Sequence, residues 1–384
     1  MLWKHYVFRR GDEVHDLWDQ LFRSRPIRLL YIAGRGFDVR VITVLTQFLQ
    51  NISSSGHKIE DAELLLVGFE GYELDDNLKK LTEDNAKEMA ELFKGIGKVT
   101  ELKISTYSAG EDDLSASTAL RIGVKDVLTH VAEHTDIVLD ISSLPRVVYL
   151  ALMTSILNKL IPNKDATDAL RANGVNFQVL VAEDAKLDAQ IVSEEPNNDL
   201  VLIPGFSSVL HAESVRDWPL VWFPILGENR VSQFEKVMES VIPESAEICP
   251  IVPHPSSDPR RGDRLIVEYR RPLFESRQTP TSNILHAHES HPFEAYRQLL
   301  LAMRHYCNSL SILGGCRLVV TPLASKLITL GTGLACFEMK PPDMEKYGVA
   351  IPYAEPRRYK ASVEDLQASR PEITALVLTG EAYG

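Results

Sequence analysis

The residues richest in possible chemistry fall in Asp140-Ile-Ser-Ser-Leu-Pro-Arg146, at the end of the apolar run Ile137-Val-Leu. Two serines, a proline and an arginine separate that run from the long apolar stretch 147–160. The pattern predicts a buried strand that stops at a serine-capped helix start. Pro145 would take the first helical position, where its missing N–H costs nothing. Free N–H groups, a helix dipole, the hydroxyls of Ser142 and Ser143 and the Arg146 guanidinium would then converge at the carboxyl end of a strand. That setting suits phosphate or another anion. Capping alone accounts for the serines but not for Arg146, whose positive charge in a first turn opposes the dipole. Asp140 is placed either to contact a ligand hydroxyl or to bond neighbouring backbone.

A second constellation, Gly34-Arg-Gly-Phe-Asp-Val-Arg40, follows the apolar run 28–33 and begins like a dinucleotide fingerprint, with Val39 in place of the third glycine. Gly34 and Gly36 would let backbone approach a ligand, with Arg35 or Arg40 beside it and Asp38 facing a ribose or base. The alternative is a tight strand-to-helix turn carrying a local Asp–Arg pair. Ser325 and Lys326 repeat the serine-plus-cation combination in the second half. Gly331 and Gly333 lie inside the helix that follows, where close packing on the sheet would account for them.

His286, His288 and His291 form H-x-H-x-x-H, with Glu289 and Glu294 as the nearest further metal ligands. A polar loop before a helix starting at Pro292 is the simpler account, and no metal is assigned. Arg260, Arg261, Arg264, Arg270 and Arg271 crowd one region and Arg357 and Arg358 another, as a basic cleft or a solvated loop. Neither a G-x-S-x-G elbow, a Ser–His–Asp ordering nor a G-x-x-x-x-G-K-[ST] loop occurs, which lowers the weight of the common serine and nucleotide hydrolases.

The elements that must position these residues alternate between strand and helix. Strand-like runs at 28–34, 63–68, 99–106, 137–140 and 177–184 are separated by helical patterns at 41–51, 77–93, 117–134 and 147–160, after an amphipathic opening at 12–22. That alternation predicts an α/β fold with a mostly parallel sheet covered on both faces. The second half follows the same order, with strands at 220–227, 247–254, 317–322 and 349–354 and a helix at 292–308. From Gly34 to Ser143 is 109 positions (143 − 34), and from Gly227 to Ser325 is 98 (325 − 227). The expectation is two Rossmann-like sheets arising by tandem duplication. The domains would be 1–190 and 219–360, with a linker at 191–218. The tail 361–384 contains an apolar Ala375–Leu378 that would dock on the core or pair with a neighbour.

Composition limits the partners. Lys plus Arg is 41 against 53 Asp plus Glu, a formal net charge of −12. So acidic a chain is not expected to bind duplex nucleic acid through its phosphates. No apolar stretch is long enough for a membrane span, and the opening lacks a signal-peptide pattern, so a cytoplasmic protein is expected. The four cysteines form no C-x-x-C pair and read as reduced, buried thiols.

The glycine turn after the first strand and the Ser-plus-cation turn after the fourth resemble those of the CRISPR-associated Rossmann-like sensor domains. In that family the fourth-strand turn contacts a cyclic oligonucleotide across a dimer or tandem pair, and some members cleave it. The usual turn is richer in glycine and threonine, with a lysine where this chain has Leu144, Pro145 and Arg146. The resemblance implies a nucleotide-binding or nucleotide-sensing protein of bacterial antiviral defence. Its ligand would be a phosphate-containing small molecule or oligonucleotide, and its output a homo-oligomer or a protein partner. Two other classes stay open. One is an enzyme of phosphoryl, glycosyl or hydride transfer using Asp38, Asp140 or Glu70, with a metal-dependent hydrolase centred on His286 and His288 as its variant; the other is a ligand-free interaction subunit.

Overall fold

The apolar runs of the first half become the strands of one sheet in the computed structural model, which describes every residue except 24, 106–114 and 343–345. Thr106, the expected end of the third strand, lies outside the described residues. The first unit comprises residues 1–192 and 358–384. Its elements are β1 (Val7–Arg10), α1 (Glu13–Leu21), β2 (Ile27–Gly34), α2 (Arg40–Ser54), β3 (Ile59–Glu70), α3 (Asp76–Phe93), β4 (Lys98–Ser105), α4 (Ala116–Val131), β5 (Asp136–Asp140), α5 (Arg146–Leu160), β6 (Asn176–Glu183) and α6 (Ala185–Gln190). The second unit, residues 193–357, begins within β7 (Val192–Pro196). It holds β8 (Val201–Leu202), α7 (Ser208–His211), β9 (Leu220–Ile225), α8 (Val231–Val241), β10 (Glu247–Ile248), β11 (Ile251–Pro253), α9 (Arg261–Glu268), β12 (Leu285–Ala287), α10 (Pro292–Leu310), β13 (Cys316–Pro322), α11 (Lys326–Met339), β14 (Tyr347–Ala350) and β15 (Pro352–Tyr353). The chain then passes through β16 (Pro356–Lys360) to α12 (Val363–Ala368) and β17 (Glu372–Thr379).

The first sheet runs β1-β17-β6-β5-β2-β3-β4. Strands β2 to β6 are mutually parallel, while β17 pairs antiparallel with β6 and β1 antiparallel with β17. Counted in their own order, the five parallel strands lie 3-2-1-4-5. The second sheet, β12-β11-β9-β13-β14, is parallel throughout, and β10 and β11 form one interrupted strand along β9. Its order is again 3-2-1-4-5. In such α/β sheets the connections reverse direction between the first and fourth strands, leaving a crevice beyond their carboxyl ends. Both units therefore have a switch point, flanked by β2 and β5 in the first and by β9 and β13 in the second.

The sequence explains the layers. Leu29 to Ala33 of β2 and all of β5 are buried, as continuous apolar strands between two helical layers must be. Helix α2 buries Val41, Val44, Leu45, Phe48 and Ile52, a stripe at helical spacing that faces the sheet. Helix α5 is buried on almost every side, from Val147 to Thr154 without a break, and α4 packs beside it. Each such Leu- or Val-sized side chain removed from water stabilises by roughly 1.5–3 kcal/mol. Among the described residues no helix is long and apolar enough to cross a membrane.

The structure departs from the sequence reading in four places. The stretch 191–218 contributes β8, which pairs with β15, and α7 to the second unit. Residues 372–379 return to the first sheet as β17, between β1 and β6. The arginine-rich segment is no open loop: Arg261–Glu268 is helix α9. The segment around His286 is the short strand β12, at the edge of its sheet.

Gly331 is needed for helix–helix packing, not for contact with the sheet. A Cβ there would stand 1.9 Å from the Pro292 carbonyl oxygen at the start of α10 and 3.0 Å from Ala295 Cβ. Gly→Ala in an open helix gains up to about 1 kcal/mol. Here we expect Gly331→Ala to lose about 2 kcal/mol, because backbone must move aside. Urea unfolding of the variant checks the sign; a raised midpoint would contradict the packing.

Candidate functional site

The register Ala33↔Asp140 brings the turn after β2 against the turn after β5. Their fit is close. The Ser143 hydroxyl donates to the Gly34 carbonyl at 2.7 Å. A Cβ on Gly34 would lie 2.6 Å from Ser143 Oγ and 2.9 Å from Leu144 N, and one on Gly36 would lie 2.9 Å from Ser143 O. The glycines therefore admit the chain's own serine turn. Ser142 is fully buried: its N–H donates to Asp140 Oδ1 at 2.9 Å, and its hydroxyl accepts from the Ala182 N–H on β6 at 3.0 Å. Asp140, also fully buried, accepts from the Tyr31 hydroxyl at 3.0 Å. Burial, and then the Asp140 charge, push the Tyr31 phenol well above its ordinary range.

The expected serine cap of α5 is corrected by this geometry. Pro145 is the N-cap, with extended backbone and no side-chain cap bond, and Arg146 is the first helical residue. Both serine hydroxyls instead stitch strand ends together. Arg146 is half-buried, and its Nε is shielded from solvent.

The remaining residues of the glycine turn divide between two sets of partners. Arg35 pairs with Glu83 at 2.6 Å and with Glu101 at 3.4 Å. Asp38 and Arg40 form the local pair, both buried: Arg40 Nη2 meets Asp38 Oδ2 at 2.6 Å and Asp188 Oδ1 at 2.8 Å. Burial acts to lower the Arg40 pKa, but the two carboxylates outweigh it and hold the guanidinium charged. Beside them Phe37 sits in a small apolar cluster with Leu78, Leu81, Leu187 and Leu366. Glu70 stands exposed at the carboxyl end of β3, 3.7 Å from Lys103 Nζ.

The second unit repeats the close approach with other side chains. A Cβ on Gly227, just past β9, would lie 2.1 Å from the Leu323 carbonyl oxygen in the turn after β13. Ser325 caps α11, accepting from the Ile328 N–H at 3.5 Å, and its hydroxyl reaches the Glu289 carbonyl at 3.4 Å. Lys326 is the first residue of α11 and half-buried. Next to this turn, Arg261 spans Glu228 at 2.8 Å and Glu289 at 2.7 Å. The Glu289 carboxylate also accepts from the Ser256 hydroxyl and, at 2.5 Å, the Ser257 N–H. Desolvation pushes its pKa up, but these donors prevail and bring it down to about 2. Burial likewise opposes Glu228, whose pKa is nevertheless lowered by Arg261; Glu268 is raised by burial and by the Glu228 charge.

This Glu228–Arg261–Glu289 group was not assembled from the sequence, although the carboxylate directly after the strand-one glycine was a visible signal. Arg264 and Arg270, from the same basic run, pair locally with Asp258 and Glu275, and Arg358 pairs with Glu73. The histidines divide. His286 faces His254, ring centroids 5.6 Å apart, while His288 accepts from the Ser290 N–H and His291 caps α10 through the Glu294 N–H. Among the described residues no group of three or more His, Cys, Asp or Glu is arranged to hold a metal ion. No family model matches the chain, and comparison with curated proteins finds no match.

Proposed function

We propose that the protein binds a phosphate-containing ligand, a nucleotide or oligonucleotide, at the two switch points of a duplicated Rossmann-like architecture. The observation that carries this reading is the coincidence of position in both units. A glycine after the first strand packs on the turn after the fourth, and the long helix leaving that turn begins with a half-buried cation, Arg146 or Lys326. Helix N–H groups and those cations are the anion contacts. Gly34, Gly36, Ser142 and Ser143 shape the turn, and Asp38, Asp140 and Arg40 brace it. Sensing within antiviral defence, as the family resemblance implies, is the setting that fits a binding protein of this kind.

Thermal-shift titrations with ATP, a cyclic dinucleotide and a cyclic oligoribonucleotide test the proposal. A ligand present at about 100 times its Kd stabilises by roughly 2.7 kcal/mol, a rise of a few degrees in Tm. Arg146→Ala with Lys326→Ala is expected to abolish that rise and leave the unliganded Tm within about 2 °C. A shift that survives both substitutions refutes the assignment. The ligand-free interaction subunit is the second reading, favoured by how fully the serine and glycine turn is bonded to itself. It predicts no shift with any of the three probes.

A further inference from the structure

At the end of β13 opposite Ser325 lies chemistry the binding proposal does not use. Cys307, in the closing turns of α10, and Cys316, the first residue of β13, bring their sulfurs to 3.7 Å. Both are free thiols; Cys316 is fully buried and Cys307 half-buried, so Cys307 is the more accessible residue of the two. The chain between them is a short turn, Ser311–Leu313, followed by Gly314 and Gly315 at φ 91° and 148°. Its apolar tip is bare, with Ile312 88% and Leu313 60% exposed.

We propose that Cys307 and Cys316 are a reversible dithiol–disulfide site, oxidised by a low-molecular-weight disulfide of the glutathione type. The Cys307 thiolate attacks one sulfur of the reagent RSSR, forming Cys307–S–S–R and expelling RS⁻, which takes up the proton Cys307 gave. Cys316 then loses its proton and attacks Cys307 Sγ. The Cys307–S–S–R bond breaks, the intramolecular S–S bond forms, and the second RS⁻ is protonated. The protein gives up two electrons and two protons, and the reagent leaves as two RSH. Closing the gap to a bond of about 2.0 Å takes a rotation of the Cys307 side chain and a small adjustment of the turn. The other two cysteines lack a partner sulfur among the described residues. Cys336 is fully buried, and Cys249 is buried and bonded to the Tyr306 hydroxyl.

The sequence simplifies the test, because no Lys or Arg lies between Arg304 and Arg317. Trypsin releases both sulfurs in one peptide, His305–Arg317. The whole protein is treated with oxidised glutathione, denatured, alkylated and digested. The expected result is an unalkylated His305–Arg317 lighter by about 2 Da than its reduced form, restored to the doubly alkylated form by prior reduction. Cys249 and Cys336 stay alkylated. In Cys316→Ser the glutathione adduct is expected to persist on Cys307. Wild-type protein that keeps the adduct on Cys307 without an internal bond overturns the proposal. So does a peptide that stays doubly alkylated while Cys249 or Cys336 is consumed.

Discussion

Arg40→Met is expected to lower the unfolding free energy by about 3–5 kcal/mol, the cost of leaving a buried charge without its counter-ion. Asp38 is 7% exposed and Arg40 1%, so water cannot replace the lost partner. Arg40 Nε reaches both Asp38 oxygens, at 2.9 and 3.1 Å, in addition to the Nη2 contact. Asp188 is the lesser partner, its side chain 45% exposed and therefore hydrated in either state. Removing both charges tests the cause. In Asp38→Leu with Arg40→Met the unpaired carboxylate is gone, and an apolar pair sits beside Phe37 and its leucine neighbours. More than half of the loss should return, because well-packed apolar replacements of a buried ion pair are often neutral. Urea unfolding of the two variants reads the difference directly. The measurement also bears on the role of Arg40. Had this arginine been held ready for a ligand, the single variant would lose a ligand-induced shift yet keep its own stability. A destabilisation below about 1 kcal/mol would remove the bracing role assigned here.

Much of this architecture was legible in the sequence. Strands such as β2 and β5 are covered on both faces, so their apolar content is continuous and cannot be taken for a surface pattern. Similar spacing of the glycine and serine turns in the two halves, 109 and 98 positions, pointed to a similar order of elements. Edge elements were harder. The four residues of β1 include two arginines, and β12 is three residues with an exposed histidine; neither offers a period to read. β17 was visible as an apolar run, but its place depended on the chain returning from the second unit, which local pattern does not encode. The site shows the same division. A cation at the start of a helix was recognised as a misfit needing an anion. At Arg40 the anion is the local aspartate that the alternative reading named; what the sequence did not reveal is that at Arg261, also the first residue of its helix, the anions are again the protein's own carboxylates. The serines illustrate a related ambiguity. Two hydroxyls before a helix suit a cap, yet the nearest carbonyl and N–H in space belong to other strands.

Glu289→Gln is expected to cost up to about 3 kcal/mol at neutral pH and to flatten part of the acid limb of stability. The carboxylate lies just past β12, accepts from Ser256 and Ser257 beyond β11, and meets Arg261, which also holds Glu228 beyond β9. It thereby ties together the carboxyl ends of the first three parallel strands of the second unit, next to the turn that presents Lys326. With the side chain 13% exposed, solvent screens this group little. The sign follows from its depressed pKa, about 2 against an ordinary 4.5. A carboxylate that ionises more readily in the folded chain stabilises the fold above the ordinary value. That contribution disappears as pH falls from about 4.5 to about 2. Other carboxylates titrate in the same window, Glu228 among them, so the absolute stability of wild type is not the informative quantity. The informative one is wild type minus Glu289→Gln, followed by urea unfolding from pH about 7 down to about 2. It should shrink from its full value to near zero across that window. A difference that stays constant with pH would mean the amide fails to reproduce the shape of the contact, and the charge of Glu289 would then have no part in joining the three strand ends.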